Sequence, residues 1–202
     1  MKYLKHLSVR ASSDDEILDV QYVSSPPQYL QYLELVGRLE KLPDWNLKLQ
    51  NLLTLRLLGS SLTKNDPLKA LRVLPSLVRL VLKLTLVGLK GLNSVIIEEG
   101  ALPLLEHLRI EPSPQIKEVP SGIHHLRNLK TLQFVGMPEE FIDRMEPKPN
   151  QGKDYWIVEH IPHVSLWSLK RSYSTQIGSL EEYFNRKVEN ARFREEKNES
   201  QS

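Results

Sequence analysis

The feature that most constrains this chain is a spacing of apolar residues that is neither helical nor that of a plain strand, and that returns along most of its length. In "LEHLRI", Leu105, Leu108 and Ile110 stand three and then two residues apart, and the same frame recurs 24 residues later as Leu129, Leu132 and Phe134. Further copies are "LKHLSV" (Leu4, Leu7, Val9), "LQYLEL" (Leu30, Leu33, Leu35), "LLTLRL" (Leu52, Leu55, Leu57) and "LVRLVL" (Leu77, Leu80, Leu82). The frames begin at residues 4, 30, 52, 77, 105 and 129, so the steps are 26, 22, 25, 28 and 24 residues. A period this regular is the mark of stacked repeats, and it has to be settled before any helix or strand is assigned.

The frame has a direct physical reading. Its last two apolar residues, two apart, lie on one face of a short strand, and its first anchors the turn that enters that strand. Stacking such strands in parallel joins their apolar faces into one core that no single repeat could bury alone. The steps fall within the roughly 20–29 residues of leucine-rich repeats. The predicted fold is therefore an α/β leucine-rich repeat solenoid, with a curved parallel sheet on the concave face and short helical or irregular segments on the convex face.

The convex segment is written most clearly in "EVPSGIHHLRNL". There Val119, Pro120, Ile123, Leu126 and Leu129 follow a V-P-x-x-I-x-x-L-x-x-L pattern at helical spacing, and proline is tolerated at the first turn of a short helix. Weaker copies are "LEKLPDWNLKLQNL" and "LRVLPSL". Residues 77–97 break the rhythm, because "LVRLVL" and "VLKLTL" both fit the frame while overlapping. Either two repeats have fused there, or one of the two registers is wrong. After Val135 the frame fades into "GMPEEFIDRMEPKPNQGKDYWIVEHIP", whose Pro138, Pro147, Pro149 and Gly152 punctuate it as loop. The organisation read from the sequence is thus about six repeats over 1–137, a closing segment over 138–167, and a tail over 168–202. In that tail Leu180, Phe184 and Val188 fit an amphipathic helix, with a charged, partly disordered end.

Composition excludes several functional classes. The 27 Lys and Arg against 25 Asp and Glu give a formal charge of +2, which points to neither nucleic acid nor an anionic membrane. The absence of cysteine removes disulfides and thiolate chemistry and fits a reducing compartment. Lys2, Lys5, His6 and Arg10 interrupt any signal-peptide core. The most apolar window, 77–97, carries Arg79, Lys83 and Lys90, which at about 2.5–3.5 kcal/mol each oppose a membrane span. A cytoplasmic location is expected.

No catalytic, cofactor-binding or metal site is assigned. His160 and His163 beside Glu159 lack the H-E-x-x-H spacing of a helical metal pair, and the adjacent His124 and His125 are read as convex surface whose side chains face different ways. "GSSLTKN" at 59–65 lacks the Gly-Lys pair of a phosphate loop, so no nucleotide or other small-molecule substrate is expected. The informative residues are those between the inward leucines of each strand. One column holds Ser8, Glu34, Arg56, Val81, Arg109 and Gln133; its neighbours hold His6, Tyr32, Thr54, Arg79, His107 and Thr131, and Arg10, Val36, Leu58, Lys83, Glu111 and Val135. These columns face the concave side, which solenoids use for binding. The candidate partner surface is Tyr32, Glu34, Arg56, Leu58, Arg79, Lys83, His107, Arg109, Glu111 and Gln133.

"LPDWNLKLQNLLTLRL", "IIEEGALPLLEHLRIEPSPQIKEVPSGIHHLRNLKTLQF" and "GKDYWIVEHIPHV" resemble the C-terminal leucine-rich repeats of plant coiled-coil-type NLR disease-resistance proteins, over about residues 1–165 and most specifically over 98–163. The resemblance implies an intracellular immune receptor in which these repeats recognise a pathogen effector or a guarded host protein and hold a nucleotide-binding switch domain inactive. The phosphate loop of that switch is absent here, so the resemblance implies a fragment or truncated form. The alternative is a free-standing repeat adaptor or scaffold without an immune role.

Overall fold

The structure is a computed structural model that describes residues 3–13, 16–21, 27–39, 42, 48–60, 71, 74–84, 97, 99–111, 117–170 and 173–199. Eight strands form one sheet in sequence order: β1 His6–Arg10, β2 Tyr32–Val36, β3 Thr54–Ser60, β4 Arg79–Leu84, β5 His107–Ile110, β6 Thr131–Val135, β7 His163–Lys170 and β8 Tyr173–Ser179. The first seven run parallel and β8 returns antiparallel to β7. This is the leucine-rich repeat solenoid that the spacing predicts.

The frame explains each rung. Leu33, Leu55, Leu80, Leu108 and Leu132 lie opposite one another and are buried, as are Leu35, Leu57, Leu82, Ile110 and Phe134 two residues on. The first residue of the frame closes a tight turn. The N–H groups of Leu30, Leu52, Leu77, Leu105 and Leu129 each donate to the carbonyl three residues back, at 3.0–3.3 Å in the cases of Leu77 and Leu105 among them. One carbonyl per repeat then receives two N–H groups from the next: Gln31 O accepts from Leu53 and Thr54, Leu53 O from Val78 and Arg79, and Glu106 O from Lys130 and Thr131. This spine satisfies the backbone where the chain enters each strand, which a buried turn requires. Asparagines reinforce it, Asn51 Nδ2 donating to Gln28 O at 2.9 Å and Asn128 Nδ2 to Pro103 O at 2.7 Å. Both sit directly before the first leucine of a frame.

The two overlapping frames at 77–86 resolve on the strand. β4 sets Arg79 opposite Thr54 and His107, the register of "LVRLVL". Residues 85–96 lie outside the described residues, and with them the fused-repeat reading. On the convex side the V-P-x-x-I pattern folds as a 3₁₀ turn over Ser121–His125, burying Val119, Ile123 and Leu126.

The sheet continues past the last of the six frames. Ile161, Val164 and Leu166 keep the 3-then-2 frame, the Ile161 N–H closes the same turn onto Val158 O, and β7 pairs with β6 from Thr131 opposite His163. The step from Thr131 to His163 is 32 residues, outside the period of the others, because two short helices are inserted, α1 over Glu139–Asp143 and α2 over Tyr155–Val158. Phe141 of α1 meets Phe134 edge to face at 5.1 Å. The connecting loop is pinned from inside. Asp154 pairs with Arg144 and its Oδ2 accepts the Val119 N–H, while Arg144 Nη2 reaches Glu118 at 3.3 Å. A Cβ on Gly152 would lie 2.4 Å from Arg144 O, which accounts for the glycine in "GKDYW".

The helix α3, Leu180–Glu199, starts on a reciprocal cap: Glu182 N–H donates to Ser179 Oγ at 3.1 Å and Ser179 N–H to Glu182 Oε2 at 2.8 Å. Of its apolar stripe, Leu180 and Phe184 are buried against the core and Val188 is exposed. Lys187 ties α3 to α1 through Asp143 at 2.7 Å and Glu139 at 2.9 Å. Its partial burial opposes the charge, but these two carboxylates override it and raise the ammonium pKa. No helix among the described residues is long and apolar enough to cross a membrane.

Adjacent repeats approach closely enough to dictate a glycine. A Cβ on Gly122 would fall 1.9 Å from Ile97 O, a backbone atom with nowhere to go. Gly122→Ala is therefore expected to lower the free energy of unfolding in urea by about 3 kcal/mol, the upper end of overpacking costs. Gly100 has open space around the same construction but sits at φ 78°, so Gly100→Ala is expected to cost only about 1 kcal/mol of left-handed strain. Equal losses at the two sites would contradict this account of the repeat contact.

Candidate concave recognition face

Because side chains alternate along a strand, the residues between the inward leucines form three columns on the opposite, concave surface. The pairing places them where the sequence spacing predicts. His6, Tyr32, Thr54, Arg79, His107 and Thr131 stand in one row across the sheet, and Ser8, Glu34, Arg56, Val81, Arg109 and Gln133 in the next. Val36, Leu58 and Lys83 continue the third row; the side chain of Lys83 lies outside the described residues.

The candidate residues divide into two groups. On β1–β3, Glu34 is a hub. Its Oε2 accepts from Ser8 Oγ at 2.8 Å, its Oε1 from the Tyr32 hydroxyl at 3.4 Å, and Arg56 Nε stands 3.1 Å from Oε1 without hydrogen-bond alignment. The His6 ring packs on Tyr32 with centroids 5.7 Å apart. This network remains half-exposed, and Leu58 beside it is half-buried.

On β5 and β6 the surface is sealed. Arg109 Nε donates to Glu111 Oε1 at 3.2 Å, Nη1 to Gln133 Oε1 at 3.2 Å and Nη2 to Ser174 Oγ on β8 at 2.9 Å, while the guanidinium sits 5.3 Å from the Trp167 ring centroid. Two strands separate β5 from β8, so the β7–β8 hairpin must fold over the concave side to make this contact. The pairing shows how. Leu166 faces Gly178 but Trp167 faces Gln176, leaving Ile177 as an extra residue. Such a bulge bends its strand and increases the local twist. Val135, on the concave side by alternation, is 0% exposed, and the Arg109 side chain only 22%. Exposure of Arg109, expected from its column, is thus corrected by Trp167 and Ser174, two residues whose roles the frame does not announce.

Arg79 and His107 lie between the two groups. Arg79 is exposed, and its charge, second to partial burial, holds the His107 imidazole below its usual range. Among the described residues neither Arg79 nor Arg10 has an ion-pair or hydrogen-bond partner.

The convex histidines differ from expectation. His124 and His125 do not diverge; their rings lie 3.7 Å apart, and His124 also packs on Trp156 at 5.0 Å. The tight 3₁₀ turn brings neighbouring side chains together where a strand would separate them. His160 and His163 do separate: His160 Nε2 is buried with no hydrogen-bond partner, whereas His163 is exposed at the start of β7. Burial lowers the His160 pKa against the opposing effect of a hydrogen bond with the Leu126 backbone.

Both depressed histidines have the same consequence. The unfolded chain takes up their protons near pH 6.5 and the folded chain only lower, so their contribution is fully present above about pH 6.5 and is lost as pH falls through the folded values. Unfolding measured in urea should show falling stability from pH 7.5 to pH 5.5, and proton NMR should give His107 a midpoint below 6.5 that rises in Arg79→Gln. A His107 midpoint indifferent to that substitution would contradict the placement of Arg79.

No protein-family model matches the chain. It is 29% identical over 199 residues to the disease resistance protein RPM1 of Arabidopsis thaliana, covering 89% of this chain and 20% of that protein. It is 32% identical over 159 residues to the disease resistance protein RPP8 of the same plant, covering 68% of this chain and 17% of the relative. A shorter match, 37% identical over 75 residues, joins 37% of the chain to 8% of the disease resistance protein RPH8A. The chain spans about a fifth or less of the length of these relatives. Together with the parallel solenoid, these similarities identify the chain as a leucine-rich repeat region of the plant NLR disease-resistance type.

Proposed function

We propose that the chain is the protein-recognition module of an immune receptor in the cytoplasm, that it contacts a pathogen effector or a guarded host protein through its concave face, and that the same repeats restrain a nucleotide-binding switch domain. The similarity to RPM1 along 89% of the chain carries this reading. Because only 20% of RPM1 is matched, the switch and its nucleotide belong to sequence other than this one, and we read the chain as a fragment or truncated form.

The fold supports a binding role over a catalytic one. Its surface columns present a rigid, half-exposed array of Tyr, Arg and Glu on a backbone whose own hydrogen bonds are satisfied, and Tyr and Arg are enriched among the residues that dominate interface energetics.

Co-expression tests this reading. The chain supplied in trans with a constitutively active nucleotide-binding portion of a relative should bind it and suppress its cell-death output. Arg56→Glu with Arg79→Glu should weaken both effects; the Arg79 change is on an exposed side chain and costs within about 0.5 kcal/mol, while the Arg56 change also sets a second carboxylate beside Glu34, so circular dichroism of the variant accompanies the test. Normal suppression by this double variant, together with its loss in convex His124→Ala and Arg127→Ala, would overturn the assignment to the concave face.

A further inference from the structure

The concave face is closed over β5 and β6 by the β7–β8 hairpin and open over β1–β4, and the charge on the two parts differs in kind. In the closed part all three nitrogens of Arg109 are engaged, by Glu111, Gln133 and Ser174, with Trp167 on its face. In the open part Arg56 is matched by Glu34, but Arg10 and Arg79 are exposed and unmatched among the described residues. Arg79 stands opposite His107 on the neighbouring strand, and the His107 titration is lowered first by burial and second by the Arg79 charge. The open stretch from β1 to β4 thus carries two arginines, Arg10 and Arg79, beyond its one matched pair of Arg56 and Glu34.

We propose that this open half, from β1 to β4, binds an acidic segment of a partner protein, with Arg10 and Arg79 as the charge contacts and Tyr32 as the apolar contact between them. The proposal rests on the reading of the concave face as a recognition surface and adds where on it, and to what chemistry, the partner binds. Arg10 lies three strands from Arg79 and, through the Val36, Leu58 and Lys83 register, four residues further along the strand direction, roughly 20 Å between backbones by sheet spacing, a span that about six residues of an extended peptide cover. A protein segment fits better than a nucleic acid. Glu34 sits among the cations, and a continuous phosphate backbone would meet its charge, whereas discrete carboxylates can pair with the two free arginines and leave the Glu34 hub intact.

The test uses the full chain and a fluorescein-labelled decaglutamate peptide, read by anisotropy at 50 mM salt. Saturable binding is expected, weakened at least tenfold in Arg10→Glu/Arg79→Glu. The variant Lys148→Glu/Lys153→Glu makes the same change in net charge at exposed loop positions and should leave binding within twofold. Circular dichroism confirms that each variant folds, and Arg79→Gln provides a milder second reading. No saturable binding, or equal weakening by both double variants, overturns the proposal, as does tighter binding of a single-stranded 20-mer DNA lost through the same arginines. Selection of peptides from an unbiased display library separates this inference from its premise. Peptides that need Tyr32 but carry no acidic excess refute the acidic partner and leave concave recognition standing. Peptides indifferent to every change on β1–β4 refute both.

Discussion

Every repeat of this chain depends on a contact it cannot make alone. Two inward leucines on a strand of about five residues bury their sides only when the strands before and after supply the equivalent pair. Full burial of one such side chain contributes about 1.5–3 kcal/mol, whereas ordering the backbone costs about 1–2 kcal/mol for every residue of the repeat, so the leucines of a single repeat cannot offset it. The stack is therefore stable as a stack. The burial pattern shows the rule at its boundary: Leu7 and Val9 of β1, flanked on one side, are half-exposed, whereas their partners Leu33 and Leu35 on β2 are buried. At the other end β8, α1 and α3 close the column, and the last inward residues, Val164 and Leu166, are buried.

The closure at that end shapes the binding face as well as the core. An antiparallel return strand covers the open edge of β7, and its bulge turns the hairpin over the concave surface until Ser174 meets Arg109. A residue type favoured at interfaces is thereby used internally, in a cation–π and hydrogen-bonded arrangement that engages all three of its nitrogens. Similar chemistry on the open side, at Arg79 and Arg10, is left for solvent or a partner. The same side-chain column thus serves stability on one half and recognition on the other, and the difference is set by which element lies above it.

How much of this is legible in the sequence follows from what each signal encodes. The register of six strands is legible because a two-residue alternation fixes which face each side chain takes, and the leucines fix the face. The seventh parallel strand is written in the same frame, as Ile161, Val164 and Leu166, but with Ile and Val in place of leucine and after a 32-residue step, so the period hides it. The asparagines before Leu52 and Leu129, and the Ser179–Glu182 cap, are local motifs readable once the strands are known. The sealing of Arg109 is not legible. It joins residues 65 apart through the bend of a hairpin, and neither spacing nor composition encodes the direction of that bend.

Amide hydrogen exchange on the intact chain tests the central claim, that this is a nearest-neighbour stack in which β1 is paired on one side and β7 is covered by β8 and α3. The account requires protection graded along the sheet, slowest in β5 to β7, where rungs lie on both sides and the helices cover the end, and fastest in β1, with β2 between. Protection of Leu7 and Val9 equal to that of Leu132 and Phe134, or one cooperative exchange rate shared by all seven parallel strands, would contradict it.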